Sequence, residues 1–481
     1  MPAATAGNKL RCARRWAAAK KLLESALLFW RPVGVQKTSA ASSALNRRRF
    51  LALTGAALAA PAILTGCATA RPRRPAASEK ITLGVVGWGM QGPPNTKAFL
   101  GFEDCRVIAA CDVDEKALQQ AVDTINGHYK NRDCAAYRDY RELLARPDLD
   151  AVMLAVPDHW HALTSIEAAR RGKHIYGEKP LAHSIAEQQA IVRAVQQAGV
   201  VWQTGSWQRS RSNFHKACEI VRNGMIGRVT RVEVGLPAGH NDFWKSFRKE
   251  VQSRDVCPVP PGLDYEFWRG PAPSRPYVPA QVHMNWRWHY ETGGGQLLDW
   301  VGHHLDIAHW GLDFDRVGPT EVSGTGDFPP ADALWNTCTK YRVEMRYPGD
   351  IEVVMAGGHR DIRGGTKWIG TNGWVWVTRE NFEASDEEWS EWKHVPDELR
   401  RVKLPKSLNH QRDFVDAIRQ GRPTLTPVEV AHNSALPGHL GLIAMRTGRK
   451  LRWDHRAEKI LDDPGAADLM GCHYRAPWQL S

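Results

Sequence analysis

The chain reads as an α/β protein built first on a doubly wound parallel sheet, and three observations say so. Short runs rich in β-branched residues alternate with stretches long enough for crossover helices, the first run ends in a Gly-x-Gly-x-x-Gly turn, and the second ends on an aspartate. Residues 81–86 are the first run, and 106–111, 151–156, 174–176 and 200–203 follow at spacings that fit the strands of one sheet.

The turn Gly87, Trp88, Gly89, Met90, Gln91, Gly92 follows the first strand directly and opens the next helix. Glycines at these places permit a tight turn and let a pyrophosphate approach the helix N-terminus. Asp112, closing the second strand, stands near the offset at which a carboxylate bonds the adenine ribose hydroxyls. A negative charge there repels a 2′-phosphate, so the expected cofactor is NAD rather than NADP.

Residues 1–78 read as a leader and linker. Asn46, Arg47, Arg48, Arg49, Phe50 and Leu51 precede an apolar stretch, 52–64, too short to span a bilayer. Paired arginines before Phe and Leu resemble a twin-arginine signal, whose pathway carries folded proteins and so suits a chain that folds around a cytoplasmic cofactor. Leu64, Thr65, Gly66 and Cys67 resemble a lipobox with Cys67 as the lipid attachment point, and Ala68, Thr69, Ala70 offer an alternative cleavage site. The expected location is periplasmic, either free or lipid-anchored to a membrane.

The leader also carries the charge. It holds 14 of the 64 Lys and Arg but one of the 52 Asp and Glu, so a net of +12 for the chain becomes −1 for the remainder. Clustered basic charge, the footprint of a nucleic-acid binder, is therefore not expected. Seven cysteines follow Cys67 without paired Cys-x-x-Cys spacing, which indicates neither a zinc site nor a disulfide framework. No segment after residue 78 is apolar enough to cross a membrane.

Three later segments carry a resemblance. Residues 155–161 read Ala-Val-Pro-Asp-His-Trp-His, 177–181 read Gly-Glu-Lys-Pro-Leu, and 293–303 read Gly-Gly-Gly-Gln-Leu-Leu-Asp-Trp-Val-Gly-His. Their order and spacing resemble the Gfo/Idh/MocA oxidoreductases over about residues 80–450. That resemblance implies an NAD-binding Rossmann domain over 79–202 and a substrate-binding α/β domain over 203–455 with an open, largely antiparallel sheet, followed by an extension over 456–481. It also implies that His303 transfers a proton, Asp299 helps bind substrate, Lys179 is the positioning cation, and Pro157, His161 and Glu178 border the cofactor beside Gly87, Gly89, Gly92 and Asp112. A homo-oligomer built through the exposed sheet is implied as well.

The chemistry is also arguable from residue types. Taking a hydride from a carbinol carbon needs a base for the hydroxyl proton, and lysine and histidine near a strand end can meet that need. Asp299 and His303 stand four apart in a segment of helical character, so they share a face. Trp286, Trp288 and Trp300, among twenty tryptophans, are candidates to pack against a sugar ring, with core packing the commoner role for the rest. Arg209 is readable equally as a substrate or phosphate contact and as an ion pair between domains. His159, His161, His303, His304 and Asp306 include metal-ligand types, yet no ligand ladder appears and no metal is expected. The proline-rich stretch from 257 onward predicts a rigid excursion over the site, and residues 374–377 alternate as a strand does.

The expected activity is NAD-dependent oxidation of a secondary hydroxyl on a sugar, glycoside or polyol, with the cofactor tightly held because free NAD is scarce outside the cytoplasm. Two alternatives stand beside it: glycoside cleavage by oxidation and elimination, and a silent sugar binder.

Overall fold

The computed structural model describes residues 80–240 and 254–480, so the arginine motif and Cys67 lie outside the described residues. Strands β1 (Ile81–Val86), β2 (Cys105–Cys111), β3 (Ala135–Tyr137), β4 (Ala151–Leu154), β5 (His174–Gly177) and β6 (Trp202–Thr204) form one sheet in the order β3-β2-β1-β4-β5-β6. All its pairings are parallel. Helices α1 (Gly92–Leu100), α2 (Glu115–Tyr129), α3 (Tyr140–Leu144), α4 (His161–Arg170) and α5 (Ile185–Ala198) make the crossovers. The order reverses between β1 and β4, and a crevice at such a switch point is where doubly wound sheets bind ligands.

Alternation along the strands builds a core on each face. Ala109 and Cys111 pack on one side with Leu143, Ile166 and Ile191. Val107 and Ala110 pack on the other with Phe99, Tyr176 and Phe414. Side-chain caps fix the helix starts: Asp114 accepts from the N–H groups of Lys116 and Ala117, and Ser184 from that of Glu187.

The second sheet has the order β13-β12-β11-β7-β10-β9-β8-β14-β15. Its strands are β7 (Val229–Leu236), β8 (Glu321–Asp327), β9 (Lys340–Tyr347), β10 (Ile351–Gly357), β11 (Gly365–Gly370), β12 (Gly373–Val377), β13 (Phe382–Ala384), β14 (Leu451–Asp454) and β15 (Lys459–Leu461). The β7–β10 pairing is parallel and the others are antiparallel. Helices α6 (Ser212–Arg222), α7 (Tyr265–Arg269), α8 (Gly295–Leu312), α9 (His410–Gln420) and α10 (Val428–Thr447) complete the described chain's longer helices. Helix α8 is buried along nearly its whole length, packed among α6, α10 and β7.

Three boundary details differ from expectation. The last parallel strand is Trp202–Thr204, so a division at 203 falls inside it. Helix α9, far along the chain, returns to cover the first sheet through Phe414, Val415 and Ile418. Residues 456–481 are no appendage either: β15 extends the second sheet, and Trp478 packs edge-on against Trp160 at 4.9 Å. Residues 374–377 lie in strand β12 as expected, and Trp376 is buried beneath the Arg363 guanidinium as Val375 and Val377 are buried on the other side.

Candidate active site

The turn between β1 and α1 is held by what its glycines avoid. Gly87 has φ +90°, and a Cβ there would collide with the Ala155 carbonyl; one on Gly92 would collide with the Gly87 carbonyl. At Gly89 an added Cβ would meet no atom of the described residues, although Gly89 lines the cleft beside it. The protein itself does not demand glycine at that position, which leaves close approach of a ligand as its use.

Asp112 ties the turn to β2. Its Oδ2 accepts from the Trp88 N–H at 2.7 Å and its Oδ1 from the Asp114 N–H at 2.9 Å. Burial pushes its carboxyl above the usual range, against the pull of those two N–H groups. The cleft that begins here encloses about 460 Å³ and runs from Asp112 past Gly87 and Pro157 to Lys179 and Arg287. Its outer wall is the proline-rich excursion, through Phe267, Trp268, Met284 and Trp286. A dinucleotide fits this donor set: an open glycine for the pyrophosphate, a carboxylate for the ribose, and apolar walls for the rings.

At the far end, side chains replace backbone. Lys179 leaves β5 and donates from Nζ to the Asp299 carbonyl at 2.6 Å and to Asp299 Oδ1 at 2.9 Å. Arg287 Nε donates to the same Oδ1 at 3.2 Å. Burial would raise the Asp299 carboxyl, but the Lys179 ammonium and the Arg287 guanidinium overcome it and hold the group well below the ordinary carboxylate range. One helical turn later, His303 is 5% exposed, and its Nδ1 has no hydrogen-bond partner among the described residues. Burial first, then the Lys179 and Arg379 charges, drive its pKa well below 6.5, so the imidazole is neutral. Helix α8 thus brings a carboxylate and an imidazole onto the face that packs on Lys179, where a Cβ on Gly302 would press on the Lys179 stem.

The neighbouring loops are pinned to this cluster. His161 bridges the segments after β4 and β5, with Nδ1 2.7 Å from the Pro180 carbonyl and Nε2 3.0 Å from the Val156 carbonyl. Glu178 is buried, accepts from Asn95 Nδ2 at 2.8 Å and lines the cleft, as do Pro157 and His161.

Of the aromatic and cationic candidates, Trp286 lines the cleft with Arg287 stacked 4.4 Å from its ring centre. Trp300 does not line that cleft; it flanks His303 at 5.4 Å and carries Arg379 at 4.6 Å, which Trp207 holds from the other side at 4.6 Å. For Arg209 both a ligand contact and an ion pair were open. Its guanidinium bonds the buried Asp306 at 2.8 Å through Nε and again through Nη2, and the part-exposed Asp315 at 2.7 Å. Of the two roles open from sequence, the ion pair is the one this geometry supports.

Four residues escaped the sequence reading. Arg287 and Trp207 sit in short 3-10 turns, His283–Trp288 and Trp207–Ser210, and Arg379 in the loop after β12, with no motif around them. Asp158 sits inside the 155–161 segment, fully buried; burial and the Asp299 charge hold its carboxyl well above the ordinary range, and its Oδ1 has no partner among the described residues. A titratable residue between Pro157 and His159 was the available signal for it.

With this geometry in place, comparison with known proteins gives consistent results. Residues 81–206 match the profile described as oxidoreductase family, NAD-binding Rossmann fold, and residues 211–480 match oxidoreductase family, C-terminal alpha/beta domain. Myo-inositol 2-dehydrogenase of Thermotoga maritima is 30% identical over 230 residues, covering 48% of this chain and 54% of that protein. A glycosyl hydrolase family 109 protein of Shewanella pealeana is 28% identical over 233 residues, covering 44% and 49%. The chain thus spans about half the length of these curated relatives. Scyllo-inositol dehydrogenase of Lactobacillus casei, solved with NAD(H) and scyllo-inositol, shares the fold at a TM-score of 0.54 and 16% identity, over 78% of this chain and 99% of that one.

Proposed function

The chain belongs to the Gfo/Idh/MocA oxidoreductase family, and on that premise we propose that it moves a hydride between NAD and a secondary hydroxyl of a sugar, glycoside or polyol. Lys179 lines the nucleotide cleft and is bonded to Asp299, one helical turn before the buried, neutral His303, and that cluster carries this reading. NAD, when bound, supplies the hydride acceptor.

The side chains supply the rest. Neutral His303, with a free ring nitrogen, takes the hydroxyl proton as the carbonyl forms. Lys179 directs two hydrogen bonds at Asp299 and keeps a third N–H for the reacting oxygen. Ionised Asp299 fixes the direction of that ammonium and of Arg287. Arg379, clamped between Trp207 and Trp300, offers a guanidinium to a further hydroxyl. Kinship with dehydrogenases of inositols supports a polyhydroxylated ring as substrate. Export through the arginine motif, with NAD held through the cycle and in preference to NADP, belongs to the same proposal, as does association of copies through the outer face of the second sheet.

A second reading has its own support. Relatives named glycosyl hydrolase family 109 proteins favour oxidation followed by elimination at the adjacent carbon and return of the hydride. One experiment separates the two: the purified protein, with its nucleotide identified after denaturation, is exposed to sugars and aryl glycosides while bound-cofactor absorbance and aglycone are followed. Lasting reduction without aglycone supports the dehydrogenase, and aglycone without lasting reduction supports elimination. Lys179→Ala should keep NAD and lose hydride transfer; full activity in that variant rejects its role.

A further inference from the structure

At the start of α5 lies a second cluster that the proposed chemistry does not use. His183, Glu187 and Cys472 each present one ligand atom, and these atoms lie within 4.8 Å of one another. The Cys472 sulfur and His183 Nδ1 are 4.0 Å apart. Tetrahedral zinc with one sulfur and one imidazole nitrogen sets those two atoms about 3.6 Å apart, so only a small contraction is needed.

Glu187 is the observation that calls for a cation. Its residue is 1% exposed, Oε1 accepts from the Tyr474 hydroxyl, and Oε2 is buried without a hydrogen-bond partner among the described residues. A buried carboxylate oxygen left unpaired is costly. Nothing in the linear spacing announces the group, because Cys472 comes from the C-terminal segment, which folds back to the helix that begins at Ile185. A cavity of about 250 Å³ lined by all three residues adjoins them, leaving room for a water as fourth ligand.

We propose that His183, Glu187 and Cys472 bind a zinc ion that fastens the C-terminal segment to the start of α5. A thiolate, a carboxylate and a neutral imidazole balance a divalent charge, and nitrogen and sulfur donors select zinc over magnesium or calcium. Metal binding displaces the thiol proton to solvent, together with any proton on the carboxyl. The backbone carbonyls of Tyr290 and Gly293 face the imidazole, as the outer partners of a ligating histidine do. His183 lies four residues beyond Lys179, so the ion would also brace the segment that carries the proposed positioning cation.

The test uses the whole purified protein. Elemental analysis should find about one zinc per chain after zinc loading, and cobalt(II) exchanged into the site should show thiolate-to-metal charge-transfer absorption. Cys472→Ser, at an exposed residue, should abolish that absorption and weaken zinc binding by more than the about 10–100-fold typical of a lost outer partner. Added zinc should raise the unfolding temperature of the wild type but not of Cys472→Ser or Glu187→Gln. Absence of stoichiometric metal, or absorption and stabilisation that persist in Cys472→Ser, overturns the proposal.

Discussion

The two ends of the cleft are built from different material. At the nucleotide end the backbone does the shaping: Gly87 and Gly92 avoid carbonyls, and Asp112 is oriented by two main-chain N–H groups. At the reacting end charged side chains shape it, with Lys179 and Arg287 on Asp299, while two turns along α8, away from the cleft lining, Arg209 pairs with Asp306 and with Asp315 beyond the helix. Glycine and main-chain N–H shape the first end from residue types that announce a turn, whereas two of the ion pairs, Lys179–Asp299 and Arg209–Asp306, join residues about a hundred positions apart, so the second end is harder to foresee.

Substitutions should separate the two ends. The largest effect is expected at the reacting end: His303→Ala should slow hydride transfer by about 10²–10⁴-fold with NAD content unchanged, read by single-turnover absorbance. Next, Arg209→Ala strands the buried Asp306 carboxylate and removes a partner of part-exposed Asp315, and should lower stability by about 3–5 kcal/mol in urea unfolding, without changing which nucleotide binds. At the nucleotide end, Gly89→Ala should weaken NAD binding about tenfold or more, yet shift apo-protein stability by less than about 0.5 kcal/mol, because no protein atom opposes the methyl group. Gly87→Ala should destabilise the apo-protein as well.

The smallest effect concerns pH. Burial and the Lys179 charge lower the His303 pKa, so the neutral base stays populated as pH falls through 6.5. The rate of substrate oxidation should therefore change by less than about twofold between pH 8 and 6.5, whereas an acid limb centred near 6.5 would mean an ordinary, hydrated imidazole.

Legibility follows the same division. Strands at 81–86, 106–111 and 151–154 were readable from apolar runs ended by Gly87, Asp112 and, after two further residues, Pro157, and the glycine turn carried its own mechanism. The short β3, Ala135–Tyr137, offers only three residues of pattern, and no sequence expectation covered it. Asp299 and His303 were readable as helix neighbours, and Lys179 as a partner only through the family resemblance. Arg379 was invisible because stacking on Trp207 and Trp300, a tertiary contact with no local signature, places it, and Arg287 because its role rests on the approach of Asp299 from α8. Arg209 shows the converse: its residue type fits a ligand contact and an ion pair equally, and only the positions of Asp306 and Asp315 decide between them.

Isotope transfer tests the proposed chemistry most directly. A sugar or inositol deuterated at the carbinol carbon is incubated with the protein and its bound nucleotide, which is then released and weighed by mass spectrometry. Deuterium should appear on the nicotinamide in the wild type and be absent in His303→Ala at matched times. A wild type that holds NAD and never acquires label from any polyol, or a variant that acquires it at the same rate, contradicts the assignment of Lys179, Asp299 and His303 as the hydride-transfer site.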